Sequence, residues 1–175
     1  EGFCDGGFSM MPYSDRLKQR LKDMGSAALV TNEGISGELT TSMVRRLPPL
    51  LQGSPSQSPY DLVLILGGTN DLPNSRSHEI LGRIKKLHHF AHTAGAHTGL
   101  LTIPMLDFGT RAKTCEEIDA DRLAVNEALR KFVRQNDTRT FMIDLANAIP
   151  MDEAHKELWE PDGVHFSAKG YEAIG

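Results

Sequence analysis

The sequence predicts an α/β protein with a parallel sheet and helices on both faces. Residues 61–66 read Asp-Leu-Val-Leu-Ile-Leu, and such an aliphatic run is typical of a strand that is buried on both faces of a covered sheet. Predicted helices and strands alternate along the chain, as they do in folds built from right-handed crossovers. A doubly wound fold would open with a strand, whereas this chain opens with a loop and a helix.

Four segments rich in aliphatic and β-branched residues are predicted to be strands. Gly67 and Gly68 end the second segment and Pro104 ends the third, because glycine permits a sharp turn and proline lacks the N–H that a sheet ladder needs. The predicted strands are residues 27–31, 61–66, 98–103 and 139–145.

Apolar residues at helical spacing predict the helices between these strands. In the first helix Leu17, Leu21 and Met24 form one stripe, and in the second Pro48 and Pro49 disturb the helix near its end. The predicted helices run from Ser14 to a stop at Gly25, from the turn at Gly37 past Leu47, over 77–94, 118–135 and 151–158, and onward from a cap at Ser167; residues 1–11, 52–59 and 105–116 are predicted loops.

Length and composition predict one globular domain, residues 1–175. A chain that is 39% hydrophobic and 24% charged is long enough to bury a core without disulfides. The net charge of −4 gives no electrostatic reason to expect nucleic acid as a partner, and no stretch reaches the ~18 apolar residues of a membrane span. Two cysteines mildly favour a reducing, cytoplasmic location, but with no signal segment visible, localisation and oligomeric state stay open.

Two loops that follow predicted strands bring hydrogen-bond donors to the carboxyl edge of the sheet, where open α/β sheets place ligands. The amide of Asn70 can donate, and Gly37 stands directly before a predicted helix, where an N–H favours negative charge. Together these two groups could form an oxyanion hole for acyl transfer. A Gly-Gly-x-Asn-Asp turn can equally do no more than connect a strand to a helix.

A third loop carries Asp162 and His165, three residues apart. An Asp that accepts a hydrogen bond from His Nδ1 fixes the tautomer and leaves Nε2 as a general base. Gly163 lies between them and lets the backbone fold back so that the side chains can meet. The alternative is a polar loop with a surface histidine.

These three blocks, in this order, resemble those of the SGNH hydrolases, the GDSL-type esterase and lipase family. The blocks read Asn32-x-Gly-x-Ser-Gly37, Gly67-Gly-Thr-Asn-Asp71 and Asp162-Gly-Val-His165. The resemblance covers essentially the whole chain. It implies a flavodoxin-like three-layer α/β/α fold and the hydrolysis of small-molecule carboxylic esters through a covalent acyl-enzyme.

The resemblance also implies a role for each of the candidate residues. His165 would be the base, Asp162 would orient it, and Gly37 and Asn70 would donate to the oxyanion. The supporting loop would consist of Gly67, Gly68 and Asp71. Arg122-x-x-x-Asn126 in a later helix is also similar to family sequence, with packing as its expected role.

One block of the family is absent from the sequence. The family opens with a strand and Gly-Asp-Ser-x-Thr-x-Gly, whose Ser is the nucleophile, and Glu1-Gly2-Phe3 resembles the tail of that block. We therefore expect the first strand and the nucleophile to lie upstream of Glu1, and the chain to be incomplete at both ends. The chain as given should then hydrolyse esters poorly, being either a truncated esterase or a degenerate relative.

Four serines are candidates to replace that nucleophile. Neither Ser9 nor Ser14 sits at a strand-to-turn junction as the family nucleophile does, and Ser14 is better placed to cap a helix. Ser36 and Ser42 flank the candidate oxyanion glycine and are expected to be structural.

Two alternatives concern binding without acyl transfer. His88 and His92, at i and i+4, have a spacing that can hold a metal, but no carboxylate or Cys stands in register with them, so a solvated helix face is expected. A non-catalytic, flavodoxin-like binding module could also use Gly37 at a helix start to hold an anion. It would have no need of Asp162 and His165, and no nucleotide motif supports it. We therefore expect no cofactor and no metal.

The irregular stretch 105–116 follows a strand at the active edge and should line the mouth of the pocket. Leu106 and Phe108 could meet an acyl chain, and Arg111 or Lys113 a charged group; equally they could only cover the core. The sequence does not choose a substrate.

Overall fold

The structure is a computed structural model, and it describes residues 3–4, 9–52, 60–136 and 138–175. The chain divides into two compact units. The first consists of Glu1–Ser36, Met105–Phe108 and Ile149–Gly175, and the second of Gly37–Pro104 and Gly109–Ala148. None of the helices in the described ranges combines the length and apolar character that crossing a bilayer requires.

Helices and strands follow one another in the order that α/β folds use. The elements are β1 (Phe3–Cys4), β2 (Ser9–Met10), α1 (Tyr13–Asp23), α2 (Thr40–Leu51), β3 (Leu62–Ile65), α3 (Ser77–Thr93), β4 (His97–Leu101), α4 (Cys115–Asn136), β5 (Thr140–Ile143), α5 (Leu145–Ala148) and α6 (Ala168–Ile174), with 3-10 turns at Thr69–Asp71 and Lys156–Leu158. The strand predicted over 139–145 thus ends early, in the short helix α5.

The second unit contains a parallel sheet in the order β3-β4-β5, so the predicted α/β class with a parallel sheet is confirmed. The predicted face of α3 is buried, with Ile80, Ile84, Leu87 and Ala91 all at most 2% exposed. These residues recur at i, i+4, i+7 and i+11, which is why the periodicity alone located the helix.

Helix α4 begins three residues before its predicted start because a local cap forms there. The Thr114 N–H donates to the Glu117 carboxylate at 2.8 Å, and the Thr114 hydroxyl accepts from the Glu117 N–H at 3.3 Å. This reciprocal pair is a capping box. Further along, the Asn126 side-chain amide donates to and accepts from the Ile103 backbone, at 2.8 Å each, which is the packing role expected of this residue.

One strand prediction is wrong, and another is wrong about burial. Residues 27–31 form no strand, and Leu29 is 80% exposed. Leu62 at the start of β3 is 44% exposed, so this strand is not buried on both faces. Strand propensity expresses itself only against a hydrogen-bonded neighbour, which residues 27–31 lack in the described part of the chain. Among the described residues, β3 is an edge strand that pairs only with β4.

In the first unit, Ser167 caps α6 as predicted, since its hydroxyl accepts from the Gly170 N–H at 3.2 Å. Ser14 does not cap α1. The N-cap is Pro12, and Ser14 lies buried inside the helix. Of the predicted helix 151–158, only the 3-10 turn at its end forms. The first predicted loop contains the antiparallel pair β1–β2, and residues 53–59 of the second lie outside the described residues.

Candidate active site

The Asp162–His165 pair forms in the first unit. The His165 ring lies with Nδ1 2.7 Å from Asp162 Oδ2. The other carboxylate oxygen, Oδ1, accepts from the backbone N–H groups of Val164 and His165 at 2.8 and 2.9 Å. A carboxylate at Nδ1 sets the tautomer in which Nε2 carries the lone pair, so this geometry is the one a general base needs.

The loop closes on itself because residue 163 is a glycine. Gly163 has φ +72°, in the left-handed region that a side chain disfavours. A Cβ at this position would lie 2.7 Å from the Asp107 carbonyl oxygen, while the Gly163 carbonyl accepts from the Asp107 N–H at 2.8 Å. Beyond the turn, the His165 carbonyl accepts from the Glu160 N–H at 2.8 Å, which closes the loop.

Asp162 is held in its charged form. Partial burial on its own would raise the pKa of this carboxyl, but hydrogen bonds from the His165 backbone and ring and from Val164 outweigh burial and keep the pKa below its usual value. A carboxylate that stays ionised at neutral pH can stabilise a protonated imidazole beside it.

A second Asp–His pair lies ten residues upstream, and it was not among the candidates identified from the sequence. Asp152 Oδ1 lies 2.7 Å from His155 Nδ1 and also accepts from the His155 backbone N–H at 3.0 Å. The bond from the His155 ring lowers the pKa of Asp152. The signal was the same three-residue spacing, so Asp-x-x-His alone does not identify the functional pair.

The oxyanion candidates belong to the second unit. Asn70 lies in the 3-10 turn Thr69–Asp71, and its side-chain amide donates to the Glu38 carbonyl at 3.3 Å. The structure therefore joins the turn that carries Asn70 to the segment that carries Gly37. Gly37 has φ +71° and does not stand directly before a helix, because α2 begins only at Thr40.

The supporting loop is built on two glycines that approach their neighbours closely. A Cβ on Gly67 would lie 2.8 Å from Met43 Sδ, and one on Gly68 would lie 2.7 Å from Ile103 Cδ1. Gly68 also has φ +110°, a conformation that glycine adopts without strain. Asp71, the last residue of the predicted block, is 1% exposed.

Two residues of the stretch after β4 that could have met a substrate instead make contacts within the fold. Leu106 is fully buried, which agrees with the alternative of covering the core. Lys113 Nζ donates to the carbonyls of Leu72 and Ser75 at 2.7 and 2.9 Å and contacts the Asp121 carboxylate at 2.6 Å. An ammonium has three N–H donors, so Lys113 is fully used inside its unit. Arg111 is exposed.

The histidines of α3 do not all lie on a solvated face. His88 is fully buried, with Nδ1 2.9 Å from the Thr98 hydroxyl, which also lies 3.0 Å from His92 Nε2. Burial, followed by the charge of His92, lowers the pKa of His88 to about 4. The helical period places His88 beside Ile84, and β4 supplies a hydroxyl for Nδ1. Among the described residues, Nε2 is buried without a hydrogen-bond partner. In the described part of the chain, no group of three or more His, Cys, Asp or Glu could hold a metal.

A parallel α/β fold and an Asp–His pair of this geometry are both compatible with a hydrolase. Residues 1–173 match the model of the GDSL-like lipase/acylhydrolase family. The chain therefore belongs to this family, whose members hydrolyse esters. No curated protein matches the chain in sequence.

Solved structures share the fold. A lipase/acylhydrolase from Enterococcus faecalis is 24% identical, with 99% of this chain and 85% of that chain covered and a TM-score of 0.75. The protein TesA is 24% identical, with 97% and 86% covered and a TM-score of 0.69. The psychrotrophic esterase EstA from Pseudoalteromonas sp. is 21% identical, with 97% and 84% covered and a TM-score of 0.65. These likenesses place the chain in the SGNH fold class.

Proposed function

We propose that the protein hydrolyses small-molecule carboxylic esters through a covalent acyl-enzyme. The single observation that carries the proposal is the 2.7 Å bond between Asp162 and His165 Nδ1, found in a chain of the GDSL-like family. Because a carboxylate holds Nδ1, Nε2 is the nitrogen that can accept a proton from a nucleophile.

The nucleophile of this proposal is a serine on a segment that precedes Glu1. Its oxygen attacks the ester carbonyl carbon while its proton passes to His165 Nε2. The tetrahedral oxyanion accepts hydrogen bonds from the Gly37 N–H and the Asn70 amide. The intermediate collapses to the acyl-enzyme, and the departing alcohol takes the proton from His165. Water then attacks the acyl group by the same route, and releases the acid and the free serine.

The first experiment is the sequence of the coding DNA upstream of Glu1. An apolar, strand-like run that ends in Gly-Asp-Ser supports the proposal. An upstream segment without that serine overturns the acyl-enzyme mechanism and leaves a binding module on the same fold.

The second experiment uses a 4-nitrophenyl alkylphosphonate. An activated serine attacks its phosphorus and releases 4-nitrophenolate, which leaves a stable phosphonyl adduct on the serine oxygen. The solved structure of the Pseudoalteromonas esterase shows that enzyme inhibited by monoethylphosphonate. We expect one adduct per protein in a version that includes the upstream segment, located on that segment by peptide mass spectrometry. The chain Glu1–Gly175 is the matched control and should remain unlabelled, and labelling of this control at the same rate would contradict the proposal.

A further inference from the structure

The first turn of α2 is capped by a residue from another part of the second unit. Its own N-cap residue, Leu39, has no side-chain acceptor, and the first turn contains no acidic residue. Asp71 supplies both functions from a distance: Oδ2 accepts from the Thr40 N–H at 2.9 Å, and Oδ1 from the Thr40 hydroxyl at 2.7 Å. A carboxylate at this position satisfies an otherwise unpaired N–H and favours the helix dipole.

Arg83 on α3 supplies the countercharge. Its Nη1 lies 2.8 Å from Asp71 Oδ1, 3.3 Å from the Thr40 hydroxyl and 3.4 Å from the Ser75 hydroxyl. The Asp71 side chain is 1% exposed, and a charge so deeply buried is tolerated only when it is paired and hydrogen-bonded. Three donors, the N–H and hydroxyl of Thr40 and Nη1 of Arg83, therefore fix the position of the carboxylate.

This network links the two chain segments that carry the candidate oxyanion donors. Gly37 precedes Thr40 by three residues, and Asn70 directly precedes Asp71. A second link joins the same two segments, because one N–H of the Asn70 amide donates to the Glu38 carbonyl. That bond orients the amide plane, and so sets the direction of its second N–H.

We propose that Asp71 is a positioning residue that sets the spacing and direction of the Gly37 N–H and the Asn70 amide. This proposal rests on the oxyanion roles assigned above. Asp71 itself touches no reacting atom. It acts through Thr40, which it binds twice, and through its peptide bond to Asn70.

A second Asp–Thr–Arg network in the same unit provides a matched control. Asp144 accepts from the Thr102 hydroxyl at 3.0 Å and from Arg130 at 2.9 Å. It joins the end of β4 to the end of β5 and does not bond to either candidate donor. Asp144→Asn therefore removes a comparable charge without acting on the Gly37 and Asn70 segments.

The first test needs no catalysis and uses the chain as it exists, labelled with nitrogen-15. In Asp71→Asn the side-chain NH2 must face either the Thr40 N–H or Arg83, and both of these are donors. We expect the Thr40 N–H to exchange with solvent at least about tenfold faster than in the wild type, and the Gly37 amide and Asn70 side-chain signals to shift. In Asp144→Asn these three signals should stay in place. Unchanged Gly37 and Asn70 signals in Asp71→Asn would overturn the proposal, whether or not the protein hydrolyses esters.

The second test measures kcat and KM in a version that carries the nucleophile. We expect Asp71→Asn to lose on the order of 10²-fold in kcat with little change in KM, because small displacements of a catalytic donor cost this much. Asp144→Asn should stay within about threefold of wild type. Should Asp71→Asn fail to fold, Thr40→Val removes only the hydroxyl link and should still lower kcat, while Thr40→Ser restores it.

The oxyanion roles and the positioning role of Asp71 can be tested separately. A loss of about 10²–10³ in kcat on Asn70→Ala with an unchanged Asp71→Asn would overturn the positioning role alone. An unchanged Asn70→Ala beside an inactive His165→Ala would remove the oxyanion assignment, and the positioning role with it.

Discussion

The two Asp–His pairs of the first unit make the same ring contact in different surroundings. In both, a carboxylate oxygen lies 2.7 Å from Nδ1, and the histidine side chains are 39% exposed in Asp162–His165 and 34% exposed in Asp152–His155. In Asp162–His165 one of the two intervening residues, Gly163, has φ +72°, and its carbonyl accepts from the Asp107 N–H. Three-residue spacing therefore suffices to bring an Asp carboxylate to His Nδ1, whereas the glycine turn is a feature of Asp162–His165.

The largest expected effect separates the two histidines. In a version that carries the nucleophile, His165→Ala should lower kcat for a short-chain aryl ester by about 10⁴-fold or more, because the serine loses its base. His155→Ala is the matched control and should retain wild-type turnover. Equal losses in the two variants, or turnover unchanged by His165→Ala, would remove the assignment of the base.

The two carboxylates give the next largest contrast. Asp162→Asn should lower kcat by at least about 10²-fold, toward the 10⁴ that an orienting Asp contributes in the Ser-His-Asp template, because an amide no longer favours the productive tautomer. Asp152→Asn should have no effect on kcat. The measurement is steady-state hydrolysis at neutral pH. A greater loss in Asp152→Asn would exchange the roles of the two pairs.

Acid stability distinguishes the exposed histidines from the buried one. The pKa of His88 is lowered to about 4, so the folded protein leaves His88 neutral at a pH where the unfolded chain protonates it. The free energy of unfolding should therefore fall by up to about 3 kcal/mol as pH drops from 6.5 to 4. The lowered pKa values of Asp152 and Asp162 act below that window, since their stabilisation is lost only as they protonate.

Urea denaturation across this range measures that dependence. His88→Gln should flatten the slope between pH 6.5 and 4, whereas His155→Gln should keep it. A slope that survives in His88→Gln would show that another group takes up the proton.

A smaller effect, on stability, should separate the Asp162–His165 loop from the Asp152–His155 loop. Gly163→Ala places a Cβ 2.7 Å from the Asp107 carbonyl oxygen at φ +72°, so the free energy of unfolding should fall by about 2 kcal/mol. Glu153→Ala changes the corresponding position of the other pair and should leave stability nearly unchanged. If urea denaturation finds the two variants equally stable, the tight turn is not what distinguishes the loops.

Much of the fold and part of the site could be predicted because the interactions concerned are local. The buried face of α3 follows from residues three and four apart, and the Ser167 cap and the Asp162–His165 bond each span three residues. The short range of this bond also explains why the Asp152–His155 pair was overlooked. Asp152 and His155 have the same three-residue spacing as Asp162 and His165.

The failures occurred where a partner distant in sequence decides the outcome. Residues 27–31 have strand propensity and form no strand. The sequence predicts a solvent-exposed His88, whereas in the structure this residue is buried beside Thr98. The sequence left Lys113 open to two roles, contact with a charged group or cover of the core, and the structure shows it bound to carbonyls about 40 residues away.

By itself, the sequence determined the class of fold, the family and the Asp162–His165 bond, because periodicity, turn chemistry and short-range hydrogen bonds act within a few residues. Only the tertiary structure decided which polar groups are buried together. The carboxylate of Asp71 meets the start of α2 across 31 residues of chain, and the pairing is stable because a buried charge must find its donors wherever the fold brings them.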